Sequence, residues 1–360
     1  MKLSDAAVGR DNNFNLIRFI AAFMVLISHS FAVVLGAEGF EPLERALGYT
    51  LGEIAVDVFF ASSGFLVTGS LLRLGSIRKF GKARALRIYP GLAVAVCLTV
   101  FLLGPMVSTV GVSTYLLEPA TLSYLARNST LVTGIQHTLP GVFAGVPLAG
   151  IVNGSLWTLP FEVAAYAALA TAWLVHRRFA IDERGLALLL LAATVIAFVL
   201  FHASRLHGLE IHHVFRLFFM FFGGAVLYAV KQHVRLDWRV AALLTSVIGF
   251  SALDAGLFVW LYPPCVAYLT LFAAYAPGKG VRGFNRLGDY SYGIYIYAFP
   301  VQQLVISLSP QAGVPEVIAW TSLFTLLLAC LSWHAIEKPA LARKESSDRR
   351  PIRAAAVRSP

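Results

Sequence analysis

The chain is 360 residues long, 58% hydrophobic and 13% charged, with a formal net charge of +10. An ordinary soluble domain carries about 25% charged residues, and a globule this apolar would expose patches that aggregate in water, so bulk solvent is excluded as the main surroundings. The basic excess is no nucleic-acid footprint either, because it falls in loops that alternate with long apolar runs, as in an all-α protein crossing a bilayer several times.

About 20 apolar residues span a bilayer core, and ten runs qualify or nearly so. The first, residues 14–36, is too long for a signal-peptide core and has no small-residue cleavage pattern, so it is expected to remain as a helix. It carries Arg18 and His29, 11 residues apart. At about 100° per residue these share one face to within roughly 20°, with His29 about 16 Å further along the axis. The second run, 52–72, holds Asp57 near its start and leads to a loop with Arg73, Arg78, Lys79, Lys82, Arg84 and Arg87 before the third, 88–110. The Pro/Gly-rich stretch 129–150 is expected as a loop with room for a short interfacial helix. The fourth run, 155–175, opens with Ser155 and Trp157 and holds Glu162; then come 186–203, 213–230 with Arg216, 240–253 and 257–276 hinged near Asp254, 288–308, and 316–336.

Lys and Arg concentrate in cytoplasmic loops. With the N-terminus inside, 24 of the 29 basic residues fall on the inner side and only Arg45, Arg127 and Arg205 on the outer; Arg18 and Arg216 lie within helices. Parity then requires two crossings between 240 and 276 and none in 129–150. Both termini are expected in the cytoplasm, with residues 1–340 as the membrane domain and 341–360 as a basic, disordered tail drawn to anionic lipid. No internal repeat is visible, which weighs against a transporter built from duplicated halves.

Cys97, Cys265 and Cys330 sit singly in apolar runs and read as small hydrophobes, not as a disulfide or zinc set. His137, His202, His207, His212, His213 and His233 fall in loops or at helix ends with no metal spacing, and no metal is expected. The Asn128-Ser129-Thr130 and Asn153-Gly154-Ser155 triplets match a glycosylation pattern that arises often by chance.

A charge retained at mid-bilayer costs several kcal/mol, about 3 on insertion scales, and marks function by default. Arg18, His29, Asp57, Glu162 and Arg216 are such residues. Three roles remain open for them: helix-to-helix glue, a transport or proton relay, and catalysis. For catalysis His29 is the general-base candidate, with Asp57 or Glu162 as the carboxylate that fixes its tautomer. Arg84 and Arg87, three residues apart at a helix start before Ile88-Tyr89-Pro90, form a guanidinium pair suited to phosphates arriving from the cytoplasm.

Several segments together resemble the membrane acyltransferase family 3, bacterial inner-membrane O-acyltransferases of envelope and exported polysaccharides. Arg18 and His29 fit its basic-x10-His motif. Val56-Asp57-Val58-Phe59-Phe60 followed by Ser63-Gly64-Phe65 is similar to its D-x-F-F-x-x-S-G-F segment, and Arg84-x-x-Arg87-Ile88-x-Pro90 to its coenzyme A motif. Ser155-Leu156-Trp157-Thr158-Leu159-x-x-Glu162, Gly288-x-x-Ser291-Tyr292-Gly293-x-Tyr295 and Ile336-Glu337-Lys338-Pro339 resemble later motifs, in order and over nearly the full length. Where many relatives have a histidine before the proline of the ninth helix, this chain reads Tyr297-Ala298-Phe299-Pro300, which removes a polar role at Ala298.

The resemblance implies a multi-pass inner-membrane enzyme moving an acyl group, acetyl as the family norm, from acyl-CoA to a hydroxyl of a cell-surface or exported glycan, lipid-linked or not. Acyl-CoA would be a donor substrate and no cofactor would be permanently bound; the other partners would be the glycan and the bilayer, without nucleic acid. Arg18, Arg84 and Arg87 would hold the donor, His29, Asp57 and Glu162 would carry catalysis, and Ser155, Trp157 and Tyr292 would meet the acceptor. Whether His29 acts as base for direct transfer or carries the acyl group itself stays open. The alternatives are a transporter or flippase of an acyl group or lipid-linked sugar without chemistry of its own, and a purely structural subunit, which leaves the intramembrane charges unexplained.

Overall fold

A computed structural model describes residues 1–9, 11–36, 39–276 and 278–348; Arg10 and residues 349–360 of the expected tail lie outside that set. Ten helices occupy the places of the ten apolar runs: α1 (Phe14–Leu35), α2 (Leu51–Leu74), α3 (Ile77–Leu98), α4 (Leu159–Arg178), α5 (Glu183–Leu206), α6 (His212–Ala229), α7 (Trp238–Ser251), α8 (Ala255–Tyr275), α9 (Ser291–Leu308) and α10 (Val314–Ser332). Among the described residues, eight helices are long and apolar enough to cross a membrane. The other two are α7, which is short, and α9, whose three tyrosines and paired Gln302 and Gln303 lower its hydropathy while the helix lies almost wholly inside the bundle. No strand forms among the described residues, only isolated bridges at Lys2 with Arg235 and Ser108 with Val142. The chain is an all-α, polytopic membrane protein.

Local chemistry sets the ends. Thr50 caps α2 by accepting from the Glu53 N–H at 3.0 Å while the Glu53 carboxylate accepts from the Thr50 N–H at 2.9 Å, a reciprocal box that satisfies two orphan donors. Asp254 caps α8 through the Leu257 N–H at 2.8 Å, so the hinge expected there is a helix start. A π-helical turn at Thr99–Leu103 carries α3 on to Val107, and another at Trp333–Glu337 carries α10 into a helix that runs to Asp348, past the point where the sequence suggests a disordered tail. Residues 131–153 cross nothing and form no α-helix; short helices at Val112–Leu117 and Pro119–Thr130 precede them.

The basic loops gather at one end. There the Leu3 N–H reaches Val234 O at 2.9 Å, Arg282 pairs with Asp11, and Asn285 donates to Asn12 O at 2.6 Å. We call this the basic end and its opposite the far end. At the centre α2 and α6 cross with backbones almost touching: a Cβ on Gly64 would sit 1.8 Å from Phe221 O, and one on Gly224 2.0 Å from Ala61 O, so only glycine fits at either place. On the other side of α1, Gln302 of α9 donates to Leu26 O at 2.6 Å and to Ser30 Oγ at 2.7 Å, fixing the register of the two helices beside His29.

Candidate active site

His29 lines a far-end cavity of about 240 Å³ together with Ser28, Trp157 and Tyr295. Its Nδ1 lies 3.4 Å from Ser155 Oγ, and its ring meets the edge of Phe299 at 5.2 Å between centroids. Ser155 is held there by a 3₁₀ turn, Gly154–Thr158, at the mouth of α4. Asn153 builds that turn, accepting from the Ser155 N–H at 3.1 Å while its amide donates to Ile296 O at 2.9 Å. The triplet that looks like a glycosylation pattern is a cap buried against α9.

At the basic end a second cavity, of about 510 Å³, is lined by Arg18, Arg73, Arg84, Arg87, Glu162, Tyr166, Asp289 and Tyr292 among others. A throat of about 40 Å³ lies between the two. It shares Arg18, Glu162 and Tyr292 with the basic-end cavity, and Val56 and Tyr295 with the His29 cavity; Phe59, Phe60 and Leu159 give it apolar walls. Tyr295 and Thr158 hydrogen-bond across it at 2.6 Å. The Arg18 and His29 face of α1 therefore runs along a file of three cavities from one end of the protein to the other.

The carboxylates sit differently from expectation. Asp57 neither touches His29 nor lines its cavity; it is fully buried with Oδ1 3.3 Å from Arg216 Nε, because a carboxylate in the core is tolerable only beside a cation and α6 supplies one. Glu162 also lies away from His29 and from the acceptor-side place expected for it. It accepts from the Tyr166 hydroxyl and from Ser63 Oγ, the latter at 3.4 Å, between throat and basic-end cavity. The partner of the imidazole is Ser155.

The arginines divide as well. Arg87 is engaged by two carboxylates, Asp289 at 2.5 Å and Glu337 at 3.5 Å, and lies over the Tyr292 ring. Burial pushes the Asp289 carboxyl up, but the Arg87 and Arg18 guanidiniums and its bonds from Ser291 outweigh this and hold it below the usual range. Arg84 lies over the Tyr166 and Phe80 rings, and Arg18 over Phe59; the Nε of each has no hydrogen-bond partner among the described residues. Arg84 and Arg18, with Arg73, are the cations left to meet a ligand, and the Arg84 and Arg87 pair is no simple clamp. Tyr292 donates to Ile88 O at 2.7 Å and faces the basic side, apart from Ser155 and Trp157.

Several residues of this site carry no mark in the sequence. Glu41, Glu44 and Glu53 line the His29 cavity with Arg216, and Glu53 joins Arg216 Nη1 at 2.7 Å and His213 Nδ1 at 3.3 Å. His202, expected to be solvated, is buried and stacked on Trp260 at 3.6 Å. The one available signal was Arg216, a charge in an apolar run that demanded a counter-ion.

Fold and cavities describe a multi-pass membrane protein with a histidine and an arginine cluster in cavities that share lining residues with a small one between them. The chain belongs to the acyltransferase 3 family, whose model, described as an acyltransferase domain, matches residues 11–335. It is 29% identical over 353 residues to an "O-acetyl transferase" of Shigella phage Sf6, covering 93% of this chain and 97% of that protein. It is likewise 29% identical over 372 residues to "Nodulation protein 10" of Rhizobium leguminosarum bv. viciae, covering 94% and 95%. No solved structure matches it. The protein is a membrane acyltransferase.

Proposed function

We propose that this protein transfers an acetyl group from acetyl-CoA, taken up at the basic end, to a hydroxyl of a cell-envelope or exported glycan at the far end, in the bacterial inner membrane with the basic end in the cytoplasm. The observation that carries this reading is the file of cavities joining Arg84 and Arg18 to His29 through an apolar throat. Phosphates need guanidiniums, a pantetheine arm needs a thin and largely apolar path, and the thioester must end beside a base; the passage supplies these in that order. The relative described as an O-acetyl transferase supports the acetyl group.

The direct route uses the His29 tautomer with its proton on Nδ1, facing Ser155 Oγ 3.4 Å away, which leaves the Nε2 lone pair to take the acceptor's proton. The hydroxyl oxygen bonds to the thioester carbon, the carbon–sulfur bond breaks, and the proton passes from the imidazole to the departing thiolate as free coenzyme A. Ser155 is a positioning residue in this scheme, and Asp57 serves the Arg216 cluster instead of the imidazole. Purified protein given radiolabelled acetyl-CoA and envelope glycan should move label to the glycan and release coenzyme A in equal amount. Movement of intact donor or saccharide across a vesicle membrane with no transfer would support the transporter reading instead.

A further inference from the structure

We infer that the His29 cavity admits an acceptor sugar that is uncharged or positively charged where it meets the imidazole, a neutral or amino sugar, and turns away uronates and phosphorylated sugars, with Glu44 and Arg216 as its recognition groups. This rests on the glycan-acceptor reading above. The cavity wall carries three carboxylates, Glu41, Glu44 and Glu53, against a single cation, Arg216, among the described residues. That cation is spent: Arg216 is 1% exposed, with Nη1 2.7 Å from Glu53 Oε1 and Nε 3.3 Å from Asp57 Oδ1. Its remaining nitrogen, Nη2, is buried without a partner, a donor directed at nothing the protein provides.

Glu41 is occupied on both oxygens, by the Ser28 hydroxyl and by the Leu51 N–H at 2.8 Å. Glu44, on the short helix Pro42–Leu47, is half-buried in the wall; its carboxylate is bonded by the Glu41 backbone and has no side chain as partner among the described residues. Burial, then the neighbouring Glu53, raise its carboxyl above the usual range, as expected of a group among like charges. A carboxylate that only accepts and a guanidinium nitrogen that only donates are complementary to sugar hydroxyls, and the indole of Trp157 lines the same wall. In a partly enclosed space, where salt screens weakly, a further anion meets an uncompensated negative field, an exclusion built from charge.

The test compares glycans, by mass spectrometry, from cells carrying the wild-type protein or the His29→Ala variant, together with acceptor kinetics of purified Glu44→Gln. The ester that depends on His29 should sit on a neutral or amino sugar residue. Glu44→Gln should raise the acceptor KM about tenfold and leave the acetyl-CoA KM unchanged. A His29-dependent ester on a uronate or phosphorylated sugar overturns the inference while sustaining the proposed activity. Absence of any His29-dependent glycan ester overturns the activity itself. Equal disturbance of both KM values, or of neither, removes Glu44 from recognition.

Discussion

At the scale of single residues, side chains that look alike in the sequence do different work. Replacing His29 by alanine removes the only imidazole lining the passage among the described residues, and transfer should fall by about 10²–10⁴, the range of a lost general base, with folding retained; matched-expression assays of coenzyme A release check this. Arg84 and Arg87, one turn apart, should separate cleanly. Arg84→Gln should raise the acetyl-CoA KM by about 10- to 100-fold with little change in thermal stability, since a charge-assisted contact is worth about 1.5–3 kcal/mol. Arg87→Ala strands Asp289 and Glu337 in the interior and should destabilise the protein by about 3–5 kcal/mol, seen as a lower Tm in detergent. The sequence showed which residues were costly enough to need a purpose, because an ionisable group in an apolar run is visible by itself. It did not show their partners: Asp57 and Glu162 stand in similar positions on their own helices, and only the packing of α6 against α2 sends one to Arg216 and leaves the other at the throat.

Helices and their contacts were legible where hydropathy and capping speak alone. Nine of the ten runs lie within a few residues of the helices, and Asp254 is a helix start; the exception is α3, which begins at Ile77, eleven residues before the apolar run at 88, so the basic stretch 78–87 expected as a loop is helical. Less legible were features that depend on contact across the chain, such as the turn that Asn153 anchors to α9 and the close crossing of α2 with α6. That crossing makes a prediction: Gly64→Ala should lose at least about 1–3 kcal/mol by overpacking against a backbone carbonyl that cannot move aside, whereas Gly81→Ala, where a Cβ meets nothing within 4 Å, should be neutral or better by Tm. The start of α9 makes another. Asp289 is held below its usual range in the folded protein, so its contribution to stability is complete above the unfolded value near 4 and is lost as pH falls through the folded value. Asp289→Asn should therefore flatten the acid limb of a Tm against pH profile, at the cost of lower stability at neutral pH.

Over the whole molecule the central claim is continuity: a large arginine-lined cavity, an apolar throat and a histidine cavity belong to one path, although each is built from different helices. Val56 lines both the throat and the His29 cavity. Val56→Trp should close the path and reduce transfer about 10²-fold, the scale of a misplaced reacting group, while acetyl-CoA still protects the basic end from proteolysis. The most direct measurement is a cryo-EM structure of the full-length protein with a non-hydrolysable acetyl-CoA analogue. The account predicts phosphates against Arg84 and Arg18, the pantetheine arm between Phe59 and Tyr295, and the acetyl group in the cavity beside His29. An analogue lying wholly in the basic-end cavity, or reaching the lipid by another route with the throat shut, would contradict it.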